Sequence, residues 1–234
     1  ARQAGVPCII CMSKLVPQNK LDAIRALGAE TRIIGNSQDE AEVEAKRLVD
    51  EEGYTMIPPF DHPHVIAGQG TLGLEMLQWV PEVDTILVQL SGGGLISGIA
   101  LAVKSKRPDV RIIGISMQRG AAMAASQAAG APVEVEELPT LADSLGGGIG
   151  LDNQLTFARV RDYVDDIVLL SEDEIATGIR HAYFDEQVIL EGGGAVGIAA
   201  LLAGKAEPGR NTIVLLSGKN IDMELHRKII NGER

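Results

Sequence analysis

The sequence predicts an α/β protein organised around parallel β-sheet, and three observations support that fold class. Short apolar runs of strand length alternate along the chain with longer amphipathic segments of helical spacing. Glycine clusters follow several of these runs, where a strand would turn into a helix. The 234 residues, of which 45% are hydrophobic, are sufficient to enclose a large core.

The first sixty residues carry alternating predicted strands and helices. Strands are predicted at 8–12, 31–34 and 54–57, and helices at 17–27 and 37–52. Pro58 and Pro59 then interrupt the pattern, because proline continues neither a helix nor a central strand. We therefore predict a smaller α/β domain over residues 1–60 and a larger one over residues 61–234.

The rest of the chain repeats the alternation. Strands are predicted at 85–89, 111–115, 167–170 and 212–216. Helices are predicted at 68–79, within 91–104 after a glycine loop, and at 121–128, 172–185 and 195–204. Ligands of open parallel sheets bind at the carboxyl ends of the strands, so candidate site residues are sought there.

Composition excludes several classes of function. The formal net charge of -11 and the aromatic content of 3% argue against a nucleic-acid partner. No apolar run reaches the roughly 18 residues of a membrane helix, and no signal peptide is visible, so we expect a cytoplasmic protein without membrane contact. Cys8 and Cys11 lie in an apolar run and are predicted to be buried core residues rather than a redox pair.

The strongest candidate site is the segment from Val88 to Gly98, where a buried strand runs into Ser91-Gly92-Gly93-Gly94-Leu95 and then a helix. Glycines let backbone N–H groups face an anion, and the helix N-terminus adds partial positive charge. No Gly-Lys-Ser/Thr follows, so it is not a P-loop, and a dinucleotide site lacks its acidic partner. The segment predicts a phosphate cup; the alternative is a tight strand–helix connection that needs glycine for packing.

Three further segments carry polar residues beside glycines. Ser217 and Gly218 follow a buried strand, where the serine would cap a helix or hydrogen-bond a heterocycle nitrogen. Glu191 precedes three glycines and is either a partly buried, paired carboxylate or a surface acid at a helix start. Asp143 precedes another glycine cluster, which by itself indicates little.

Together these segments resemble, in order and spacing, the fold-type II pyridoxal-phosphate enzymes, the group of the serine/threonine dehydratases and serine racemases. The resemblance covers essentially the whole chain. Its further motifs are Pro17-Gln18-Asn19-Lys20, Gly28-Ala29-Glu30 and Val65-Ile66-Ala67-Gly68-Gln69-Gly70-Thr71. The segments Pro59 to Pro63, Ser116 to Met123 and Asp143 to Asn153 look most like the hydroxyectoine-utilisation dehydratases.

The resemblance implies three-layer, open twisted parallel sheets like those of the tryptophan synthase β chain, and the cofactor pyridoxal 5'-phosphate. Residues 61–234 would form the cofactor-binding domain, and residues 1–60 the remainder of the smaller one. Backbone N–H groups of Gly92, Gly93, Gly94 and Leu95 would hold the phosphate, with Ser91 at the loop entrance. Ser217 would bond the pyridine nitrogen, and Glu191 and Gly218 would lie beside the ring. Asp143 matches an acid near the substrate hydroxyl.

The implied reaction converts a small hydroxy amino acid such as threonine or serine to a 2-oxo acid and ammonia. The implied assembly is a homodimer or a larger homo-oligomer. A racemase of the same fold, and a non-catalytic protein that binds a phosphate ligand, remain as alternatives.

Two departures from the family pattern affect these expectations. None of the eight lysines has the family's Ser-Phe-Lys context, so we expect the Schiff-base lysine in missing upstream sequence; the helix end at Ala1 to Gly5 agrees. The positions of a racemase-type cation site read Ser116, Gly120 and Ala122, which lack carboxylates, so no metal is predicted.

Overall fold

The computed structural model describes residues 1–233 and divides into two compact units, Ala1–Ile57 and Pro58–Arg234. The division falls three residues before the predicted one. What each unit contributes to the function stays a prediction.

The first unit is a two-stranded parallel sheet with two helices. A short 3₁₀ helix at Arg2–Ala4 is followed by β1 (Ile9–Met12), α1 (Gln18–Ala26), β2 (Glu30–Ile33) and α2 (Gln38–Glu52). Ser37 and Glu40 form a capping box that starts α2. Gly5 ends the 3₁₀ helix with φ 65°, in the left-handed region.

Two expectations for this unit are wrong. Residues 54–57 form no strand, because they pair with neither strand of the unit's two-stranded sheet. Cys8 and Cys11 are free but only half-buried, since two strands cover little of their own faces.

The second unit is built on a four-stranded parallel sheet. Its first elements are α3 (Pro63–Trp79), β3 (Thr85–Gln89), α4 (Gly94–Lys104), β4 (Arg111–Met117) and α5 (Ala122–Ala129). A 3₁₀ helix at Asp143–Leu145 leads to α6 (Thr156–Tyr163), β5 (Asp166–Leu170), α7 (Glu172–Phe184), α8 (Gly192–Leu202), β6 (Thr212–Val214) and α9 (Met223–Ile230). The strand order is β5-β4-β3-β6, all parallel, which confirms the α/β class.

The second unit has three layers. Because successive strand residues face opposite sides of a sheet, β3 contributes to two cores. Leu87 packs with residues of α7, α8 and α9, whereas Ile86 and Val88 pack with residues of α3 and α4. All five residues of β3 are buried, so this strand is the centre of the unit.

Several helix bounds differ from the prediction. Helix α3 begins at Pro63 rather than residue 68, because the His62 imidazole caps it by accepting the N–H of His64 (3.2 Å) and proline fits a first turn. Helix α8 begins at Gly192 rather than residue 195. Helices α6 and α9 were not predicted. Within residues 1–233, none of the helices combines the length and the apolar character that a membrane span requires.

Candidate functional site

The glycine loop after β3 lies at the carboxyl edge of the sheet, as the sequence predicts. Gly93 has φ 89°, a left-handed conformation that favours glycine, and it is the N-cap of α4. Ser91 and Leu95 are half-buried, and the three glycines are buried. The first N–H groups of a helix have no partner within it, so this loop presents donors and a partial positive charge to an anion.

The glycines also have close neighbours, as expected if glycine is needed there for tight packing between strand and helix. A Cβ on Gly94 would lie 3.0 Å from Cα of Phe60, and a Cβ on Gly92 would collide with the Phe60 ring. A Cβ on Gly93 would lie 2.9 Å from Cε of Met123. Packing and anion binding are therefore compatible here: the same glycines allow a tight turn and leave their N–H groups at the strand end.

Asp61 fixes the segment behind this loop. Its carboxylate accepts the N–H groups of Gln154 (2.7 Å), Leu155 (3.0 Å) and Thr156 (2.8 Å) at the start of α6. Thr156 in turn lies against Gly93, since a Cβ on that glycine would be 3.1 Å from Cβ of Thr156. The Phe60-Asp61 pair thus holds both the loop and the helix beside it.

The three glycines after Glu191 are helical and form the first turn of α8. Helix propensity disfavours glycine, but each of these residues touches a neighbouring backbone or side chain. A Cβ on Gly194 would lie 2.6 Å from the Gly218 carbonyl oxygen, and one on Gly193 would collide with the Ser144 hydroxyl. Close packing around the first turn of α8 therefore outweighs propensity.

Glu191 is the N-cap residue of α8, with a half-buried side chain. Its backbone N–H donates to the Gly218 carbonyl (3.0 Å), and a Cβ on Gly218 would collide with the Glu191 carboxylate. The structure therefore brings Glu191 and Gly218 into direct contact.

Ser217 lies exposed three residues beyond the end of β6. It caps no helix, because the N-cap of α9 is Asp222, whose carboxylate accepts the N–H groups of Glu224 and Leu225 (both 2.9 Å). The helix-cap alternative for Ser217 is therefore wrong. Since β3 and β6 are parallel neighbours, Ser217 and the glycine loop lie at the same edge of the sheet.

Asp143 is half-buried and begins the 3₁₀ helix that packs on the first turn of α8. The preceding segment is fixed by Glu172, whose carboxylate accepts the Thr140 hydroxyl (2.6 Å) and the Leu141 N–H (2.7 Å). Asp143 thus belongs to an anchored segment beside α8. No group of three or more histidine, cysteine or acidic side chains suited to a metal ion occurs within residues 1–233.

Gln89, for which the sequence predicts no role, links the strand before the glycine loop to two other elements. It is 5% exposed, and its Nε2 donates to the carbonyl oxygens of Leu215 (2.6 Å) and Gly194 (3.4 Å). The signal in the sequence is a polar residue directly after the apolar run Ile86 to Val88 and two residues before Ser91.

Comparisons with known proteins agree with this architecture. A family model described as pyridoxal-phosphate dependent enzyme matches residues 1–218. A putative threonine dehydratase of Sinorhizobium fredii is 61% identical over 233 residues, which are 99% of this chain and 70% of that protein. An L-threonine ammonia-lyase of Thermotoga maritima is 40% identical over 97% of this chain, which spans 56% of that relative's length.

Solved structures show the same fold. Maize serine racemase superposes with a TM-score of 0.85 and 33% identity, covering all of this chain and 72% of that one. The processed threonine deaminase isoform 2 from Solanum lycopersicum superposes with a TM-score of 0.84 and 33% identity, covering 98% and 67%.

Proposed function

The chain belongs to the family of pyridoxal-phosphate-dependent enzymes, and from that premise we propose that the whole protein is an ammonia-lyase that converts threonine or serine to a 2-oxo acid and ammonia. Membership confirms the resemblance inferred from the sequence. The observation that carries the proposal is the 61% identity, over 99% of the chain, to a putative threonine dehydratase. The chain spans 70%, 56% and 45% of the length of three curated relatives.

The residues at the sheet edge fit pyridoxal phosphate. Backbone N–H groups of Gly92, Gly93, Gly94 and Leu95 would bind its phosphate at the positive end of α4. The Ser217 hydroxyl would bond the ring nitrogen, and as a neutral group it would not force a proton onto it. Glu191 and Gly218, which touch each other, would flank the ring. The bound cofactor supplies an electron sink for negative charge at the substrate's α-carbon.

Asp143 would act on the substrate's β-hydroxyl. A half-buried carboxyl at this position can bond that hydroxyl and orient it. Support comes from the anchoring of the preceding segment by Glu172, which restricts where Asp143 can lie. The cofactor chemistry needs a lysine. The family resemblance assigns that lysine to a Ser-Phe-Lys segment, and residues 1–234 contain no such segment.

The test uses the protein encoded by the full reading frame, supplied with pyridoxal phosphate and then with L-threonine or L-serine. We expect ammonia together with 2-oxobutanoate from threonine or pyruvate from serine. Cofactor binding without either product would instead favour a non-catalytic protein that binds a phosphate ligand. An Asp143→Asn variant should lower kcat while keeping the wild-type cofactor affinity, and Asp162→Asn, on the exposed face of α6, serves as its control.

A serine racemase is the second candidate. The maize serine racemase structure, which covers the whole chain at a TM-score of 0.85, supports it. The same preparation should be incubated with L-serine and analysed on a chiral column. D-serine formed faster than pyruvate would replace the lyase proposal with the racemase.

The hydroxyectoine-utilisation branch is a narrower proposal that rests on the segments 59–63, 116–123 and 143–153. A panel of hydroxy amino acids derived from hydroxyectoine, assayed beside threonine, tests it. A preference for threonine over every such compound would contradict that branch. The cytoplasmic location and the homo-oligomeric assembly stay predictions.

A further inference from the structure

We propose that Gln89 is a positioning residue, whose side-chain amide fixes the segment Leu215 to Gly218 and the first turn of α8 relative to the glycine loop. The proposal rests on the proposed function only for its cofactor readout. Its structural part concerns the apoprotein alone.

The backbone pairing of β3 with β6 ends just before the site. The register runs from Thr85↔Thr212 to Leu87↔Val214, and the last backbone bond is from Leu215 N–H to the Leu87 carbonyl (3.1 Å). Gln89 supplies a side-chain link beyond that point, with its Nε2 2.6 Å from the Leu215 carbonyl oxygen. The amide therefore extends the connection between the two strand ends toward the site.

The same nitrogen reaches a third element. Its distance to the Gly194 carbonyl oxygen, in the first turn of α8, is 3.4 Å. The two carbonyl acceptors determine which end of the Gln89 amide faces them. A flipped amide would place its oxygen, which cannot donate, beside both carbonyl oxygens. The side chain is thus held in one arrangement by three converging elements.

This arrangement leaves Gln89 Oε1 buried without a hydrogen-bond partner anywhere within residues 1–233. A buried acceptor without a partner costs stability, and an apolar side chain of similar size would avoid that cost. A net stabilising role therefore explains the residue poorly. Holding three segments in one relative position explains it better, since a buried polar group that needs particular partners favours the one arrangement that supplies them.

The segment that Gln89 holds contains the proposed cofactor contact. Gln89 binds it at Leu215, and Glu191 binds it at Gly218 through its backbone N–H (3.0 Å). Ser217 lies between these two attachment points. Breaking the attachment at Leu215 should let the Ser217 hydroxyl move away from the ring nitrogen without altering the glycine loop.

The first test compares Gln89→Met and Gln89→Glu in the full-length protein by fluorescence titration with pyridoxal phosphate. Methionine removes the donor at similar volume, so affinity should fall relative to the wild type at every pH, by at most the roughly fivefold that loss of the Ser217 contact itself would cost. A buried glutamic acid is protonated at acidic pH, when it donates to Leu215; once ionised, it opposes two carbonyl oxygens. Relative to the wild type, Gln89→Glu should therefore bind normally in acid and progressively more weakly as the pH rises.

Gln78→Glu is the control, because Gln78 is exposed near the end of α3 and the substitution introduces the same charge without touching the amide bridge. Its cofactor affinity relative to the wild type should stay constant with pH. Combining Gln89→Met with Ser217→Ala completes the test. If Gln89 acts through Ser217, the two losses in affinity are not additive.

Three results would overturn the proposal: wild-type affinity in Gln89→Met, a Gln89→Glu to wild-type ratio that is constant with pH, or strictly additive losses in the double variant. If Gln89→Met fails to fold, the pH dependence of the Gln89→Glu to wild-type affinity ratio still decides the question. If the wild type itself does not bind pyridoxal phosphate, the proposed function fails. The pH dependence of unfolding in apo Gln89→Glu then still reports whether the amide bridge exists.

Discussion

The Asp61 carboxylate accepts the backbone N–H of Thr156 at 2.8 Å, and through Thr156 it supports the far side of the glycine loop at Gly93. Asp61→Ala should therefore destabilise the start of α6 by about 2 kcal/mol, since hydrogen bonds to charged groups are the stronger ones. It should also weaken pyridoxal phosphate binding. Urea unfolding and fluorescence titration measure the two effects.

Asp61→Asn keeps one acceptor oxygen, so it should fall between the wild type and alanine in both measurements. Asp162→Asn is the control, because its exposed pairing with Arg161 (2.9 Å) contributes little. If Asp61→Ala lowers stability but leaves cofactor affinity unchanged, the link from Asp61 to the loop is wrong.

Gly93→Asp should abolish cofactor retention. The substitution places a negative charge where the phosphate is expected, and φ 89° and the 2.9 Å approach to Met123 leave no room for a side chain. Gly130→Asp controls for backbone strain alone, since Gly130 has φ 76° but no atom within 4 Å of its would-be Cβ. Both variants are first shown to be folded by circular dichroism, and the cofactor that each retains is then measured by absorbance after gel filtration. Bound cofactor in Gly93→Asp would mean that the phosphate lies elsewhere.

The central strands and the glycine segments at their ends were predictable because both are local patterns. The run Thr85 to Gln89 has the apolar centre Ile86 to Val88, and the strand has the predicted bounds. The Ser91 and Ser217 segments follow β3 and β6, two neighbouring parallel strands, as the rule that ligands lie at strand carboxyl ends directs. Those signals need no knowledge of which strands are neighbours.

The missed features depend on tertiary contacts. Helix α8 starts at Gly192 because its glycines pack against Leu141, Ser144 and Gly218, contacts that override a local propensity for loop. Helix α6 begins where the remote Asp61 accepts the N–H groups of Leu155 and Thr156, and its N-cap residue, Leu155, is not a capping residue type. Gln89 looked like the last residue of a strand, and only the folded structure places two carbonyls beside its amide.

Ser217→Ala should weaken pyridoxal phosphate binding by about 1 kcal/mol, or roughly fivefold, the loss expected for one neutral hydrogen bond. Because the side chain is exposed in the apoprotein, the unfolding midpoint without cofactor should not change. Fluorescence titration gives the affinity, and Ser105→Ala, another exposed serine, is the control. Wild-type affinity in Ser217→Ala would refute the contact with the ring nitrogen.

His226 should make the protein less stable in mild acid. The residue is 2% exposed, its Nε2 has no hydrogen-bond partner within residues 1–233, and burial lowers the pKa of the imidazole from its usual 6.5. As the pH falls below about 6.5, the unfolded chain takes up the proton before the folded one does. The free energy of unfolding therefore decreases until the pH passes the lower, folded-state pKa.

The measurement is the urea midpoint of the wild type and of His226→Phe across that pH range. Phenylalanine fills the same apolar site beside Tyr183, whose ring centroid is 5.4 Å from that of His226, and it cannot take up a proton. Its midpoint should vary less with pH than that of the wild type, whereas His64→Gln, which removes an exposed imidazole, should keep the wild-type slope. A protein with a buried, neutral imidazole loses stability when the same group takes up a proton in the unfolded chain. Equal slopes in the wild type and His226→Phe would therefore mean that groups other than His226 cause the acid sensitivity.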